Sequence, residues 1–390
     1  MRWKEYKLGD VLEIHDKLRK PLSSIERTSF KGEYPYYGAQ GIIDYVKDYK
    51  CNGMYMLIAE DGENLSSRTQ PIARIVNGKF WVNNHAHIVR TNELADLKFI
   101  CDLLNYSDIA GYVTGSAQPK LSQENLNKII IVLPSLDIQK KIASILSNYD
   151  TLIDINTKRI KLLEESAREL YKEWFVRMRF PGHEKTKFVK GIPEGWKYSS
   201  LQDFGRIETG KTPSMEKPEY YGGDYLFIKT PDMHDSIFVL DTTETLSEAG
   251  NNCQRNKLLP VNSIMVSCIG STGIGAVAIN AKQGHTNQQI NSIILYNQEW
   301  LTWLYFTCES LKPTIEMYGA TGSTMTNLSK GKFENLKVIE PTADIIRQFN
   351  KLESPLFEEI KNLQLQNQNL ATTRDRLLPR LLSGELKVKA

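Results

Sequence analysis

Residues 115–142, GSAQPKLSQENLNKIIIVLPSLDIQKKI, align without a gap on residues 322–349, GSTMTNLSKGKFENLKVIEPTADIIRQF, at an offset of 207. Both segments run from Gly-Ser through an apolar stretch to a proline and then a helical pattern. Identical pairs include Gly115/Gly322, Ser116/Ser323, Leu121/Leu328, Ser122/Ser329, Pro134/Pro341 and Asp137/Asp344. Self-similarity at a fixed offset indicates a repeated structural unit. The alignment therefore predicts that the chain is a tandem duplication.

A second match lies at the start of each copy. WKEYKLGDVLEI from Trp3 pairs with WKYSSLQDFGRI from Trp196, at an offset of 193. The order of the matched segments is preserved, and the two offsets differ by fourteen residues. The second copy therefore carries about fourteen additional residues between its matched ends, so the interiors of the two copies have diverged.

The segments that follow Pro134 and Pro341 are predicted to be long helices. Asp137 and Asp344 place negative charge in the first turn, where the helix dipole favours it. In the first copy apolar residues recur at alternating steps of three and four, which is typical of a coiled coil. The positions of this seam are Ile142, Leu146, Tyr149, Ile153, Asn156, Ile160, Leu163, Ala167, Leu170 and Trp174.

The corresponding seam of the second helix is less regular. Glu353, Asn367 and Arg374 interrupt its apolar row. Pro355 cannot donate a backbone hydrogen bond, so we expect both helices to restart there and at its counterpart, Asn148.

Two features of the first helix leave alternatives open. Asn156 occupies a seam position, where it either specifies the helix register or faces solvent. The aromatic patch of Tyr171, Trp174 and Phe175 is either core against the second helix or a docking surface for a partner.

The interiors of the copies contain short runs rich in Val, Ile and Tyr, such as MYMLIAE and SIMVSCIG, separated by Gly, Asn and Asp. We therefore predict the α+β class, with two domains of irregular mixed sheets and long loops, separated by two long helices packed as an antiparallel coiled coil in a pseudo-two-fold tandem repeat. The predicted segments are a first domain at 1–134, a first helical region at 135–180, a linker at 181–194, a second domain at 195–341, and a second helical region with the tail at 342–390.

Composition restricts the class of protein. The chain of 390 residues is 41% hydrophobic and 24% charged, which is ordinary for a folded protein of two or three domains. No signal-peptide core or long uncharged apolar window is present, so we expect a cytoplasmic protein that does not enter a membrane. The five cysteines are scattered and never form CxxC, which predicts free thiols rather than disulfides or a zinc ribbon. The net charge of +3 is too small to indicate nucleic-acid binding by itself.

The layout of two variable domains alternating with two long helices resembles the specificity subunits of type I restriction-modification systems, over essentially the whole chain. LPSLDIQKKIASIL leading into LLEESARELYKEWFVRMRFPG carries the resemblance, as do IEPTADIIRQFNKLESPLFEEI leading into RDRLLPRLLSGEL, and IPEGWKYSSLQDFGRIETGKTP. YPYYGAQGIIDYV, LIAEDGENL, VSCIGSTGIGAVAI and HTNQQINSIIL inside the copies are also similar to the family's recognition domains. One departure is Asp-Ile-Ile-Arg in the second copy, where the first has Asp-Ile-Gln-Lys.

The resemblance implies a protein that reads DNA and catalyses nothing itself. Its partners would be double-stranded DNA, two methyltransferase subunits and, through these, restriction-translocase subunits. No cofactor is expected in this chain, whereas S-adenosylmethionine, ATP and Mg²⁺ are implied for the partner subunits. Since the copies have diverged, the implied DNA target is bipartite and asymmetric, with a gap that the helices would set.

Base reading requires polar side chains on loops, and phosphate contacts require cations and backbone amides. In the first domain the candidates are Lys17, Arg19, Lys20, Asn64, Ser66, Ser67, Arg68, Asn83, Asn84, His85, Gln118 and Lys120. In the second domain they are Lys211, Thr212, Lys229, Ser271, Thr272, His285, Asn287, Gln288, Gln289, Thr324 and Asn327. Any one of these residues could equally be part of a solvated loop or a cap.

Other motifs favour plainer interpretations. Gly270–Gly275, GSTGIG, lacks the Gly-Lys-Ser/Thr ending of a P-loop, so a tight turn is favoured over a nucleotide site. The histidines form no metal-binding spacing beyond the alternating His85 and His87, so we expect no metal. Two other functions stay open, namely a coiled-coil adaptor that binds no DNA and a stand-alone methyltransferase or nuclease. The second of these is opposed by the absence of Asp/Asn-Pro-Pro-Tyr/Phe and of a paired-carboxylate nuclease cluster.

Overall fold

The structure, a computed structural model, describes residues 3–115, 118–234, 236–270, 273–319 and 326–388. It divides into a first unit, residues 1–152 with 370–390, and a second unit, residues 153–369. Each unit contains one copy of the repeat together with one segment from each of two long helices.

The described part of the first copy contains ten strands and four short α-helices. The strands are β1 Lys4–Lys7, β2 Leu12–Ile14, β3 Lys31–Gly38, β4 Gly41–Val46, β5 Cys51–Asn52, β6 Tyr55–Ala59, β7 Ala73–Val76, β8 Lys79–Val82, β9 Ala86–Thr91 and β10 Ile130–Leu133. The helices are α1 Ser24–Ser29, α2 Asn64–Ser67, α3 Leu97–Tyr106 and α4 Gln123–Lys128. The first long helix, α5 Leu136–Tyr171, follows and ends in a wide π-helical turn over Lys172–Val176.

The second copy follows a short hairpin, β11 Phe188–Val189 and β12 Ile192–Pro193, which lies within the stretch expected to be a linker. Its strands are β13 Lys197–Ser200, β14 Gly205–Thr209, β15 Tyr221–Ile228, β16 Phe238–Val239, β17 Thr245–Leu246, β18 Ile264–Ser267, β19 Ile269–Gly270, β20 Val277–Asn280, β21 Gly284–Thr286, β22 Ile290–Leu295, β23 Thr326–Asn327 and β24 Lys337–Glu340. Its helices are α6 Glu248–Cys253, α7 Leu301–Ser310, α8 Lys312–Gly319 and α9 Lys330–Glu334, and the second long helix is α10 Ala343–Leu382.

The main sheets of the two copies have the same strand order. The first is β2-β9-β6-β7 and the second is β14-β22-β18-β20, extended by β16 at its edge. In each copy a further sheet contains one parallel pair, β3 with β8 and β15 with β21. The predicted α+β class and the predicted duplication are therefore confirmed.

The first and last strands of each copy pair with each other in the same register. Lys4 faces Leu133 in the pair β1–β10, and Lys197 faces Glu340 in the pair β13–β24. These partners differ by the sequence offsets of 193 and 207. The additional residues of the second copy therefore lie between its two closing strands.

Each main sheet is covered by one amphipathic or buried helix. In the first copy the fully buried strand β6 packs with Phe99 and Ile100 of α3, whose N-terminus is capped by the Asp96 carboxylate accepting from the Phe99 amide. In the second copy Ile264 and Val266 of β18 share a core with Trp303 of α7. The apolar runs that were predicted to be strands therefore contribute to the core of each copy. Strands β6 and β18 are buried on both faces.

Within each unit, the segments of α5 and α10 run antiparallel. In the first unit Asp150 pairs with Arg374 at 2.7 Å, while Ile138, twelve residues earlier, shares a core with Leu381 and Leu382. In the second unit Arg159 pairs with Glu359 at 2.7 Å, and the ring centroids of Tyr171 and Phe349 lie 6.3 Å apart. Partner numbers fall as residue numbers rise, which confirms the predicted antiparallel packing inside each unit.

The aromatic patch at the end of α5 is core. Trp174 and Phe175 are buried, and their ring centroids lie 5.6 and 4.9 Å from that of Phe349. Asn156 is also buried and its side-chain amide donates to Gln366 Oε1 at 3.5 Å, so the solvent-facing alternative is wrong. A role for Asn156 in setting the register stays a prediction.

The expected restart of the long helices is wrong. α10 continues through Pro355 and α5 continues through Asn148. Proline removes only one backbone donor, and the preceding Ser354 hydroxyl donates to the Asn350 carbonyl at 2.7 Å. Phe349 before the proline and Phe357 after it are buried in one core, so core packing holds the helix on both sides of the proline.

Glu353 is the most unusual seam residue. Its side chain is fully buried, and neither carboxylate oxygen has a hydrogen-bond partner among the described residues. The equivalent position of the first helix holds the buried Leu146. Burial raises the pKa of the Glu353 carboxyl to about 7, because an apolar environment disfavours its charged form.

We expect Glu353→Leu to stabilise the second unit at pH 8 by about 3 kcal/mol and to change little at pH 4. A carboxyl with a raised folded-state pKa binds its proton more tightly in the folded state, so the stability of the native protein falls as pH rises between about 4.5 and 7. Denaturant unfolding followed across this pH range measures the difference.

Glu358→Leu on the exposed side of the same helix is the matched control and should not alter the pH dependence. Parallel pH profiles for the native protein and Glu353→Leu would contradict the assignment.

Candidate nucleic-acid interface

Two of the four loops predicted to contact DNA in the first domain meet at Glu60. Its carboxylate forms ion pairs with Arg19 and, at 3.3 Å, with Lys120. Its carbonyl also accepts from the Leu121 amide at 2.7 Å. Burial raises the pKa of Glu60, but the hydrogen bond and charge of Arg19 and the charge of His87 outweigh burial and lower it overall. The carboxylate is therefore charged and links the loops.

A third predicted loop joins this cluster through the neighbouring residue, Asp61. His85 Nδ1 lies 2.8 Å from the Asp61 carboxylate, and the Asn83 side chain accepts from the His85 amide at 2.8 Å. We call these residues and Glu60, Arg19 and Lys120 the first loop cluster. The structure thus brings together residues that are separated by up to about a hundred positions in the sequence.

A buried polar brace lies beneath the first loop cluster. His87 Nδ1 lies 2.7 Å from an Asp16 carboxylate oxygen, and its Nε2 lies 3.0 Å from the Leu121 carbonyl. Both ring nitrogens face oxygen acceptors, an arrangement that only the doubly protonated imidazole satisfies in full. Burial raises the pKa of Asp16, but hydrogen bonds from His87 and Ile88 outweigh it and lower that pKa overall.

The second copy contains an equivalent brace made of different residues. The Asn291 side-chain amide donates to the Leu328 carbonyl at 3.3 Å, and its oxygen accepts from the Thr209 hydroxyl at 2.6 Å. Asn291 faces Val266 next to the end of β18, as His87 faces Ile58 next to the end of β6. In the second copy the neutral side chains of Thr209 and Asn291 therefore replace a carboxylate and an imidazole, and the link to a backbone carbonyl is kept.

Three of the predicted loops of the second domain also meet, through Lys211, Gln288 and Asn327. The Thr212 hydroxyl donates to Gln288 Oε1 at 2.7 Å, and the Lys211 amide donates to the Thr286 carbonyl at 2.9 Å. Asn327 pairs with Ile269 across β19 and β23, and the neighbouring Leu328 amide donates to the Cys268 carbonyl at 2.9 Å. We call Lys211, Thr212, Gln288, Gln289 and Asn327 the second loop cluster.

Four predicted contact residues have buried side chains, namely Asn64, Asn83, His285 and Asn287. His285 Nε2 lies 3.0 Å from the Asn251 side-chain oxygen, and burial lowers the pKa of His285 to about 4. The Asn64 side-chain amide donates to the Pro71 carbonyl at 3.2 Å. In this structure these residues support the fold, and DNA contact by them stays a prediction.

Two further predicted cations, Arg68 and Lys229, are engaged within the protein. Arg68 lies at a φ of +57° and donates to the carbonyls of Asn105 and Ser107 at 3.1 and 2.5 Å. Lys229 forms an ion pair of 2.5 Å with Glu244. The exposed candidates are Lys17, Lys20, Ser66, Ser67, Asn84, His85, Gln118, Lys120, Lys211, Gln288 and Asn327. Ser271, Thr272 and Thr324 lie outside the described residues.

Asp16, Glu60 and Asp61 were missed by the search for DNA contacts, because acidic residues repel phosphate. A signal was available, since Asp16 and Thr209 are separated by the offset of 193 that relates the starts of the two copies. Within the described ranges no group of His, Cys, Asp and Glu could hold a metal ion. Nor does any described helix have the length and apolarity needed to cross a bilayer. Gly273 and Gly275 have φ values of +72° and +74°, as a tight turn requires.

Comparison with known proteins places these features in a family. The profile described as type I restriction modification DNA specificity domain matches residues 1–165 and 193–368. The HindI type I restriction enzyme specificity subunit of Haemophilus influenzae is 28% identical, over 98% of this chain and 99% of its own length. The MjaIX specificity subunit of Methanocaldococcus jannaschii is 29% identical, over 72% of this chain and 66% of its own length.

A crystal structure shares the fold. The S subunit of a type I restriction-modification system from M. genitalium has a TM-score of 0.67 and 14% sequence identity, and the match covers 98% of this chain and 96% of that chain.

We expect His87→Ala to lower the free energy of unfolding of the first unit by about 1–3 kcal/mol, because the Asp16 carboxylate and the Leu121 carbonyl lose their buried partner. The double variant Asp16→Thr/His87→Asn, which installs the brace of the second copy, should recover part of this loss. Denaturant unfolding at constant pH measures both changes.

The matched control is His85→Ala, because that side chain is 46% exposed and its loss should have a small effect. A double variant less stable than His87→Ala would show that the two braces are not equivalent.

Proposed function

The chain belongs to the type I restriction-modification DNA specificity family, and from this premise we propose that it selects a bipartite, asymmetric target on double-stranded DNA. Each copy would read one half of the target through its own loop cluster. One observation supports this proposal: the two copies have the same strand order and equivalent braces, but their loop clusters present different polar side chains. Asn84 and His85 of the first copy correspond to Gln288 and Gln289 of the second.

The differences between the loop clusters are of a kind that changes base recognition. Lys120 in the first copy stands where Asn327 stands in the second. Lysine and arginine favour guanine in the major groove, whereas asparagine and glutamine favour adenine. Two recognition surfaces on one frame would therefore prefer different sequences, which supports an asymmetric target.

The charge of the chain supports a function within a larger complex. The net charge is +3, and several cations near the loops are neutralised by carboxylates. Phosphate contacts dominate the affinity of proteins for DNA, so partner subunits would supply much of the positive surface. We propose that two methyltransferase subunits bind this chain and that restriction-translocase subunits join through them.

Catalysis would then belong to the partners. S-adenosylmethionine would serve the methyltransferase subunits, and ATP with Mg²⁺ would serve the restriction-translocase subunits. This chain would supply the choice of site. A cytoplasmic location follows from that function and stays a prediction.

Replacing residues 1–134 by the equivalent segment of another family member should change one half of the methylated sequence and leave the other half intact. The reason is that each loop cluster lies within a single copy. Complexes reconstituted with the methyltransferase subunit and assayed by sequencing of methylated adenines measure the outcome.

The reciprocal exchange of residues 195–341 is the matched control and should change the opposite half. If either exchange alters both halves, independent reading by the two copies is excluded. If the native complex methylates without any sequence preference, the DNA-reading function itself is wrong and an adaptor role is favoured.

A further inference from the structure

A hairpin whose residues are not among the predicted DNA contacts borders the first loop cluster. Strands β3 and β4 meet at Ala39 and Gln40, within the motif YPYYGAQGIIDYV. A cleft of about 610 Å³ separates this tip from the cluster. Gln40, Ile42 and Ile43 line one side, and Asn83 and His85 line the other.

The backbone of the hairpin tip is held in place. The Arg74 guanidinium, on strand β7 of the main sheet, donates to the Gln40 carbonyl at 2.7 Å. Gly41 follows with a φ of +135°, and a Cβ at this position would lie 2.7 Å from the same guanidinium. The residue after Gln40 is therefore restricted to glycine, and the tip has a defined conformation before any ligand binds.

The side chains of the cleft fall into two groups. His85 and Asn83 are engaged, since His85 binds the Asp61 carboxylate and Asn83 accepts from the His85 amide. Gln40 is exposed, and within the described part of the chain its side-chain amide has no hydrogen-bond partner. Ile42 and Ile43 beside it are 48% and 50% exposed. A free amide thus lies next to two solvated apolar side chains on a rigid support.

This combination matches one base pair. The amide of glutamine can accept from the N6 amino group of adenine and donate to N7, while an apolar side chain can contact the 5-methyl group of thymine. Resting on the function proposed above, we propose that Gln40 reads an adenine of the first half-site and that Ile42 and Ile43 contact a thymine methyl group next to it.

The second copy supports a role in specificity. Its parallel pair β15–β21 corresponds to β3–β8, but the chain after β15 enters a 3₁₀ turn at Thr230–Met233 instead of a hairpin. The equivalent of Gln40 is therefore absent from the described second copy. A feature that one copy has and the other lacks cannot serve a contact that both copies share, and it fits the reading of one half-site.

The test uses the complex of the full chain with its methyltransferase subunit, acting on duplexes in which each position of the native target is randomised. Gln40→Ala should reduce discrimination at one A·T position of the first half-site by about fivefold to a hundredfold, the range of one bidentate contact. Gln40→Glu presents only acceptors, so at that position it should favour cytosine, whose N4 amino group donates.

Gln283→Ala is the matched control, since Gln283 is exposed and lies after β20, at the opposite end of the second sheet from its loop cluster. It should leave every position unchanged. Unaltered preferences with Gln40→Ala and Gln40→Glu would overturn the inference while leaving the proposed function intact.

A change confined to the second half-site, or weaker assembly with the methyltransferase at unchanged preference, would also overturn it, the latter because the hairpin would then be a docking surface. A native complex without sequence preference would overturn both proposals.

Discussion

The fold of each copy depends on one constraint, the antiparallel pairing of its first strand with its last. β1 pairs with β10 and β13 pairs with β24 in the same register, so the chain leaves each copy beside the point where it began. The long helix that follows then starts from a fixed position. Between the closing strands the chain can gain residues, exchange a hairpin for a 3₁₀ turn, or replace an acid and imidazole by a hydroxyl and amide without altering the sheet order. Divergence is thus confined to the segments that carry the loops.

The sequence predicted much of this fold because the deciding signals are local or repeated. The offsets of 193 and 207 relate the closing strands residue by residue, and the seam of α5 identified a helix that packs through Trp174 and Phe175. Other features escaped because they depend on tertiary contacts. Pro355 does not interrupt α10, since packing on both sides of it outweighs one missing hydrogen bond. The register of paired strands could not be predicted from an alternation of apolar and polar residues, because strands such as β6 are buried on both faces and show no such alternation.

The candidate site was predicted in part. Several of the chosen loops do meet, but residue type alone could not separate side chains that hold the loops from side chains available to a ligand. His285 and Asn64 have side chains that could read bases, but both are buried and support the fold. Gln40 was not among the predicted contacts, yet its side chain is exposed. Acidic residues completed the site, since Asp16 and Glu60 orient the cations around them. Only three-dimensional partners distinguish these roles.

The ion pairs around the loops also determine how the chain would respond to ionic strength. A cation that already faces a carboxylate displaces few of the condensed counterions of DNA when it approaches a phosphate. Arg19, Lys120 and Lys229 are all in this state. The contribution of these three residues to the proposed binding of DNA would therefore vary little with salt concentration. The proposed choice of the chain between DNA sequences would then persist at salt concentrations that weaken the phosphate contacts of more cationic partner subunits with the same duplex.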